Sequence, residues 1–133
     1  MKPINLLGAA AALVMAATPA YAVKWIYVDE NDTGTVHYYD ADTLSRYGNQ
    51  VRFWGRTDHS RDKTRKEREV RTWQVYDCKS RMSRVLQGVT YYPNGKSETV
   101  YFSPAQQPLT ETAITPGTAG EAMLEAVCAA TAP

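Results

Sequence analysis

With 133 residues, the chain has room for one modest hydrophobic core and none for a second domain. It holds only two His and two Cys, too few for the converging ligand sets of metal sites, so metal chemistry is not expected and no cofactor is implied. The formal charge is +1, and zero once Lys2 is discounted, yet the interval from Arg46 to Arg84 carries 12 basic residues against five acidic ones.

The chain opens on Lys2, an apolar run from Ile4 to Ala17, Pro19 and the triplet Ala20-Tyr21-Ala22. That order of charge, apolar stretch and small-residue site predicts a signal peptide over 1–22, cut between Ala22 and Val23. The apolar run falls short of the roughly 20 residues a spanning helix needs, and the mature part 23–133 contains no transmembrane segment. Export makes nucleic acid a poor partner.

Val23 to Asp29 alternates, with Val23, Trp25 and Tyr27 on one side, and predicts a strand. Glu30 to Gly34 has turn chemistry, and Thr35 to Asp40 resumes as the second arm of a hairpin. Asp40 to Ser45 reads as a short helical turn capped by Asp, and Tyr47-Gly48-Asn49-Gln50 as a turn. Val51 to Thr57 is then an amphipathic third strand, with Val51 and Phe53 opposing Arg52, Trp54 and Arg56.

Asp58 to Glu67 has no apolar residue and reads as a solvated loop or hairpin tip. Strands follow over Val70–Cys78, Val85–Tyr92 and Thr99–Ser103, the last two joined by the turn Pro93-Asn94-Gly95-Lys96. Six strands separated by turn residues argue against a βαβ plan. Pro104 to Thr115 predicts a crossing loop. Thr118 then caps a helix, with Glu121 three positions later and an apolar stripe of Ala122, Met123, Leu124, Ala126, Val127 and Cys128. An even cysteine count in an exported domain predicts one bridge, Cys78 to Cys128, pinning helix to sheet across a loop of about 50 residues. The expected fold is α+β and mainly β: about six antiparallel strands with one C-terminal helix packed on the sheet and disulfide-linked to it.

No catalytic residues are assigned. The sequence lacks a G-x-S-x-G elbow and a Gly-rich phosphate loop, and both cysteines serve the bridge. Two features suit binding. The segment holding Arg61, Lys63, Arg65, Lys66, Arg68 and Arg71 attracts anionic partners, although Asp62, Glu67 and Glu69 interrupt it and make a solvated hairpin the alternative. Nine Tyr and three Trp exceed what so small a core needs, and Tyr38 and Tyr91 lie on strands where they serve either as binding contacts or as ordinary strand residues.

Several segments together resemble one family: Gly34-Thr35-Val36-His37-Tyr38-Tyr39-Asp40 with Thr43-Leu44, Gly48-Asn49 before Val51-Arg52-Phe53-Trp54, Tyr76-Asp77-Cys78, and Pro116-Gly117-Thr118 through Cys128. In this order they resemble the surface-adhesin protein E family of Gram-negative bacteria, across nearly all of the mature chain. The resemblance implies a small antiparallel sheet carrying a helix, bridged cysteines, and adhesion to host matrix and serum proteins. The founding adhesin is lipid-anchored, whereas no lipidation Cys stands near Val23, so a periplasmic or secreted protein is expected here. The expected function is a non-enzymatic envelope binding module, adhesin-like, engaging a protein or an anionic glycan. The alternative is a periplasmic structural or assembly factor that self-associates through a sheet edge. A small hydrolase or isomerase is the third reading. Oligomeric state is not legible.

Overall fold

The computed structural model describes residues 22–133. The predicted signal peptide therefore lies, apart from Ala22, outside the described residues. Eight strands form one antiparallel sheet: β1 (Trp25–Glu30), β2 (Val36–Asp40), β3 (Ser45–Tyr47), β4 (Gln50–Asp58), β5 (Glu69–Asp77), β6 (Met82–Tyr91), β7 (Ser97–Tyr101) and the two-residue β8 (Thr112–Ala113). The six longer strands run in the order β1-β2-β4-β5-β6-β7, with β3 on β4 and β8 on β6. One helix, α1 (Ala119–Ala130), follows a single 3-10 turn at Gln107–Thr110.

Period-two alternation sorts the central strands into two faces. Val51 stands opposite Tyr76, and Phe53 opposite Gln74. Val51, Phe53 and Tyr76 are buried against Met123, Leu124 and Val127 of α1, and the Phe53 and Tyr76 rings meet edge-on at 5.2 Å. This cluster is the core, and it lies wholly between one sheet face and the helix.

The helix is secured at three points. Thr118 Oγ1 accepts from Glu121 N, while Glu121 Oε1 accepts from Gly117 N instead of closing back on Thr118, so the predicted box is displaced by one residue. At the other end Arg46 Nη1 donates to Cys128 O at 3.4 Å. That puts a guanidinium beside the C-terminal carbonyls, where cations are favoured. Cys78–Cys128 bridges sheet to helix over a separation of 50 residues.

Three differences from the sequence reading have physical causes. Residues 40–45 form no helix: Asp40 Oδ1 accepts from Asp42 N and Thr43 Oγ1 donates to Asp40 O, tightening a turn that launches β3. β3 itself pairs with β4 through the turn at Gly48, whose φ of +59° suits the first central position of a two-residue hairpin. The loop between β4 and β5, read as wholly solvated, buries His59 and Asp62 because distant hydroxyls satisfy them. Those bonds connect it to the β1–β2 turn.

Candidate ligand-binding face

The face of the sheet turned away from α1 is lined in rows that follow the strand register. Arg52, Val75 and Arg84 form one row across β4, β5 and β6. Trp54, Trp73 and Gln87 form the next, and Arg56, Arg71 and Val89 the third. Asp58, Glu69 and Tyr91 complete it. Arginine and aromatic layers thus alternate along the strands.

Trp25 of the edge strand β1 ties the third row together. Arg56 lies between Tyr38 and Trp25, its guanidinium carbon 5.2 and 5.9 Å from the two ring centres. Arg71 lies between Trp25 and Tyr91 at 5.4 and 5.3 Å. The result is a stack, Tyr38–Arg56–Trp25–Arg71–Tyr91, in which each cation is held over aromatic faces. Glu69, buried beneath it, pairs with both arginines. Arg56 Nε approaches Glu69 Oε1 to 3.2 Å but off the N–H axis, so that N–H makes no hydrogen bond. Trp54 and Trp73 sit in the adjoining row with ring centres 5.9 Å apart and planes tilted by 36°. A groove of about 290 Å³ opens beside them, lined by Val23, Trp25, Asp40, Trp54, Arg71, Val89 and Tyr91.

The β4–β5 loop is a separate feature. Asp62 anchors it: Oδ2 accepts from Thr33 Oγ1 at 2.6 Å and from Thr35 Oγ1 at 2.5 Å, and Oδ1 accepts from Thr64 N at 3.0 Å and Oγ1 at 2.5 Å. Those donors hold its carboxyl well below the usual carboxylate range. His59 Nδ1 lies 2.9 Å from Thr35 Oγ1. Since Thr35 gives its only proton to Asp62, the network assigns the N–H to His59 Nδ1. Burial lowers the His59 pKa, with Arg65 adding to the effect. Thr, His and Asp here are no nucleophile relay, because the hydroxyl gives its proton to the carboxylate and only accepts from the imidazole, and Thr35 is 3% exposed.

The sequence-nominated residues therefore divide into two groups. Arg61, Lys63, Arg65, Lys66 and Arg68 are exposed on the loop. Arg61 pairs with Glu30 and Arg65 with Glu67, while Lys63, Lys66 and Arg68 make no ion pair among the described residues. Arg71, Tyr38 and Tyr91 belong to the stack on the open face. Tyr38 and Tyr91 are not neighbours, since β4 and β5 separate them, and they are linked only through Arg56, Trp25 and Arg71. Sequence reasoning set Arg52, Trp54 and Arg56 opposite Val51 and Phe53 without nominating them for binding, and missed Trp25, Trp73 and Arg84 as members of this face. The alternation of Arg52, Trp54 and Arg56 against Val51 and Phe53 was the available signal.

Among the described residues no three His, Cys, Asp or Glu side chains gather as metal ligands would. No described helix is long and apolar enough to cross a membrane.

The model of the surface-adhesin protein E family matches residues 25–129. Two crystal structures of Haemophilus influenzae protein E share the fold at 18% sequence identity. One superposes with a TM-score of 0.55, covering 85% of this chain and 94% of that one. The other gives 0.52, with 85% and 91% covered. No curated protein matches the chain in sequence.

Proposed function

The chain belongs to the surface-adhesin protein E family, and on that premise we propose that it is an exported, non-enzymatic binding module of the cell envelope, adhesin-like, periplasmic or secreted. In this reading residues 1–22 are the signal peptide and 23–133 act as a single domain. Its partners are proteins or anionic glycans, met by the sheet face opposite α1 and by the cations of the β4–β5 loop.

The observation that carries the reading is the stack of Arg56 and Arg71 between Trp25, Tyr38 and Tyr91. Tyr, Trp and Arg are the residue types that dominate binding energy at protein surfaces. Here they are fixed by Glu69 before any partner arrives, which lowers the ordering cost of association. The loop cations Lys63, Lys66 and Arg68, free of internal partners among the described residues, add long-range attraction for an anionic surface.

The test is a binding screen of the purified protein against matrix proteins and acidic glycans. It uses two variants, Lys63→Glu with Lys66→Glu and Arg68→Glu, and Tyr91→Ala with Tyr38→Ala. Loss of binding by the first, with steeper loss at low salt, identifies the loop as an electrostatic contact. Loss by the second identifies the stack. Unchanged binding to every ligand by both variants removes the proposal.

A second reading, self-association through a sheet edge, has its own observation. β7 is an outer strand with all five residues exposed, Val100 at 51% and Tyr101 at 70%, and it carries neither Lys nor Pro to discourage pairing. Sedimentation over a hundredfold concentration range, repeated with Val100→Lys, decides it. A dimer abolished by the substitution supports the reading, and a monomer throughout excludes it.

A further inference from the structure

We infer that the first two rows of the open face form a site for an acidic sugar ring, the acid held by Arg84 and Arg52 and the ring stacked on Trp54 and Trp73. The inference rests on the reading that this face binds, and specifies the ligand chemistry.

The arginines of the open face are not equivalent. Arg56 and Arg71 are neutralised by Asp58 and Glu69 and immobilised between rings. Arg52 and Arg84 form no ion pair among the described residues. They flank Val75 in register, two strands apart and so roughly 10 Å between their Cα atoms. Val75, between them in register, is 4% exposed although it lies outside the cluster under α1, and the surface pocket beside it is lined by Arg84 together with Asp77 and Glu111. Arg84 Nε is buried with no hydrogen-bond partner. That N–H is closed to ligand, so an incoming anionic oxygen meets the accessible part of the half-buried Arg84 guanidinium and of exposed Arg52, where each charge-assisted bond adds affinity.

An isolated anion needs only the arginines. The row beside them adds what a sugar needs: the partly exposed indoles of Trp54 and Trp73 for the C–H face of a pyranose, and the Gln87 amide for hydroxyls. Beyond Trp54 the groove continues for about 290 Å³ past Trp25 to Tyr91, with the carboxylate of Asp40 in its lining. That volume is at the small end of ligand pockets, about 300 to 1,000 Å³, and suits the neighbouring ring of an oligosaccharide. A phosphopeptide would meet the arginines but leave the indole platform and the Asp40 end without purpose.

The experiment is calorimetric titration of the purified protein with three hexasaccharides: a uronate oligomer without sulfate, a heparin-derived sulfated oligomer, and a neutral oligomer of equal length. Binding of either acidic probe with at least tenfold preference over the neutral one is expected. Arg84→Gln and Trp54→Ala should each weaken it at least tenfold. The two acidic probes distinguish a carboxylate from a sulfate ester as the preferred acid. Indole N–H resonances of the unsubstituted protein provide a readout independent of folding in the variants, and those of Trp54 and Trp73 should shift on titration. If the indole signals stay still, or only the loop variant K63E/K66E/R68E loses the acidic probe, the site is wrong while the broader binding role survives. If no saccharide binds but a protein partner is lost in Y38A/Y91A, the ligand class is wrong on the same terms. Failure of every partner in both experiments removes the underlying reading as well.

Discussion

Replacing Cys78 and Cys128 by Ala together removes the only covalent link between helix and sheet among the described residues. At a sequence separation of 50, the lost restriction of the unfolded chain amounts to about 4 kcal/mol. That is close to a thousandfold in the unfolding constant and a large part of the roughly 5–15 kcal/mol that holds most domains together. The same step lowers the melting temperature by something on the order of 15 °C for a domain this size. The folded contacts of Met123, Leu124 and Val127 with Val51 and Phe53 remain available. The double variant is therefore expected to fold in the cold with native helix content. Equilibrium urea unfolding, followed by tryptophan fluorescence, reads the change. The midpoint should fall and the slope rise, because a chain without the crosslink exposes more surface when unfolded. A stability loss below about 1 kcal/mol with an unchanged slope would refute the entropic account.

Leu124→Ala, at a fully enclosed position of α1, should cost about 3 kcal/mol, seen as a lower urea midpoint. An effect below about 1 kcal/mol would mean that the helix does not seal the core. Gly34→Ala places a Cβ 3.2 Å from Arg61 O at a φ of +96°, so a loss of 1 kcal/mol or more is expected, along with faster proteolysis of the β4–β5 loop. Stability should be flat between pH 6.5 and 10, decline above that range because burial pushes the Tyr76 hydroxyl up to about 12 while the unfolded chain ionises near 10.0, and decline below 6.5. Burial depresses the His37 and His59 pKa values, so the unfolded chain binds protons first. A second decline follows below 3.8, the ordinary value for Asp62, whose carboxyl the threonine hydroxyls hold lower in the folded state. Asp62→Asn should reduce that second decline, leaving the share of Glu67, Asp58 and Asp77, whose carboxyls hydrogen bonds also hold below their ordinary values. A midpoint that rises on acidification from pH 6.5 to 5 would contradict the histidine assignment.

Most local signals were read correctly, the helical turn expected over Asp40–Ser45 being an exception. Alternation in Val51-Arg52-Phe53-Trp54, the turn at Pro93-Asn94-Gly95, the Thr118 cap and the stripe through Val127 each depend on residues a few positions apart. The pairing of Cys78 with Cys128 was legible because no other cysteine competes. Of the eight residues nominated for binding, three lie on the open face and five on the β4–β5 loop, a division that composition does not show. Arg71, Tyr38 and Tyr91 were named without Trp25, which joins them from an edge strand.

The sequence by itself determined which residues alternate, where the chain turns, and that one bridge secures the helix, because these follow from local stereochemistry and a count. Strand order and register decided the rest. They placed Trp25 over arginines from two other strands, left Arg84 Nε without an acceptor, and let Thr33 and Thr35 draw Asp62 out of water. Asp62 is buried because hydroxyls from a distant turn meet it, and that meeting is a property of the assembled sheet.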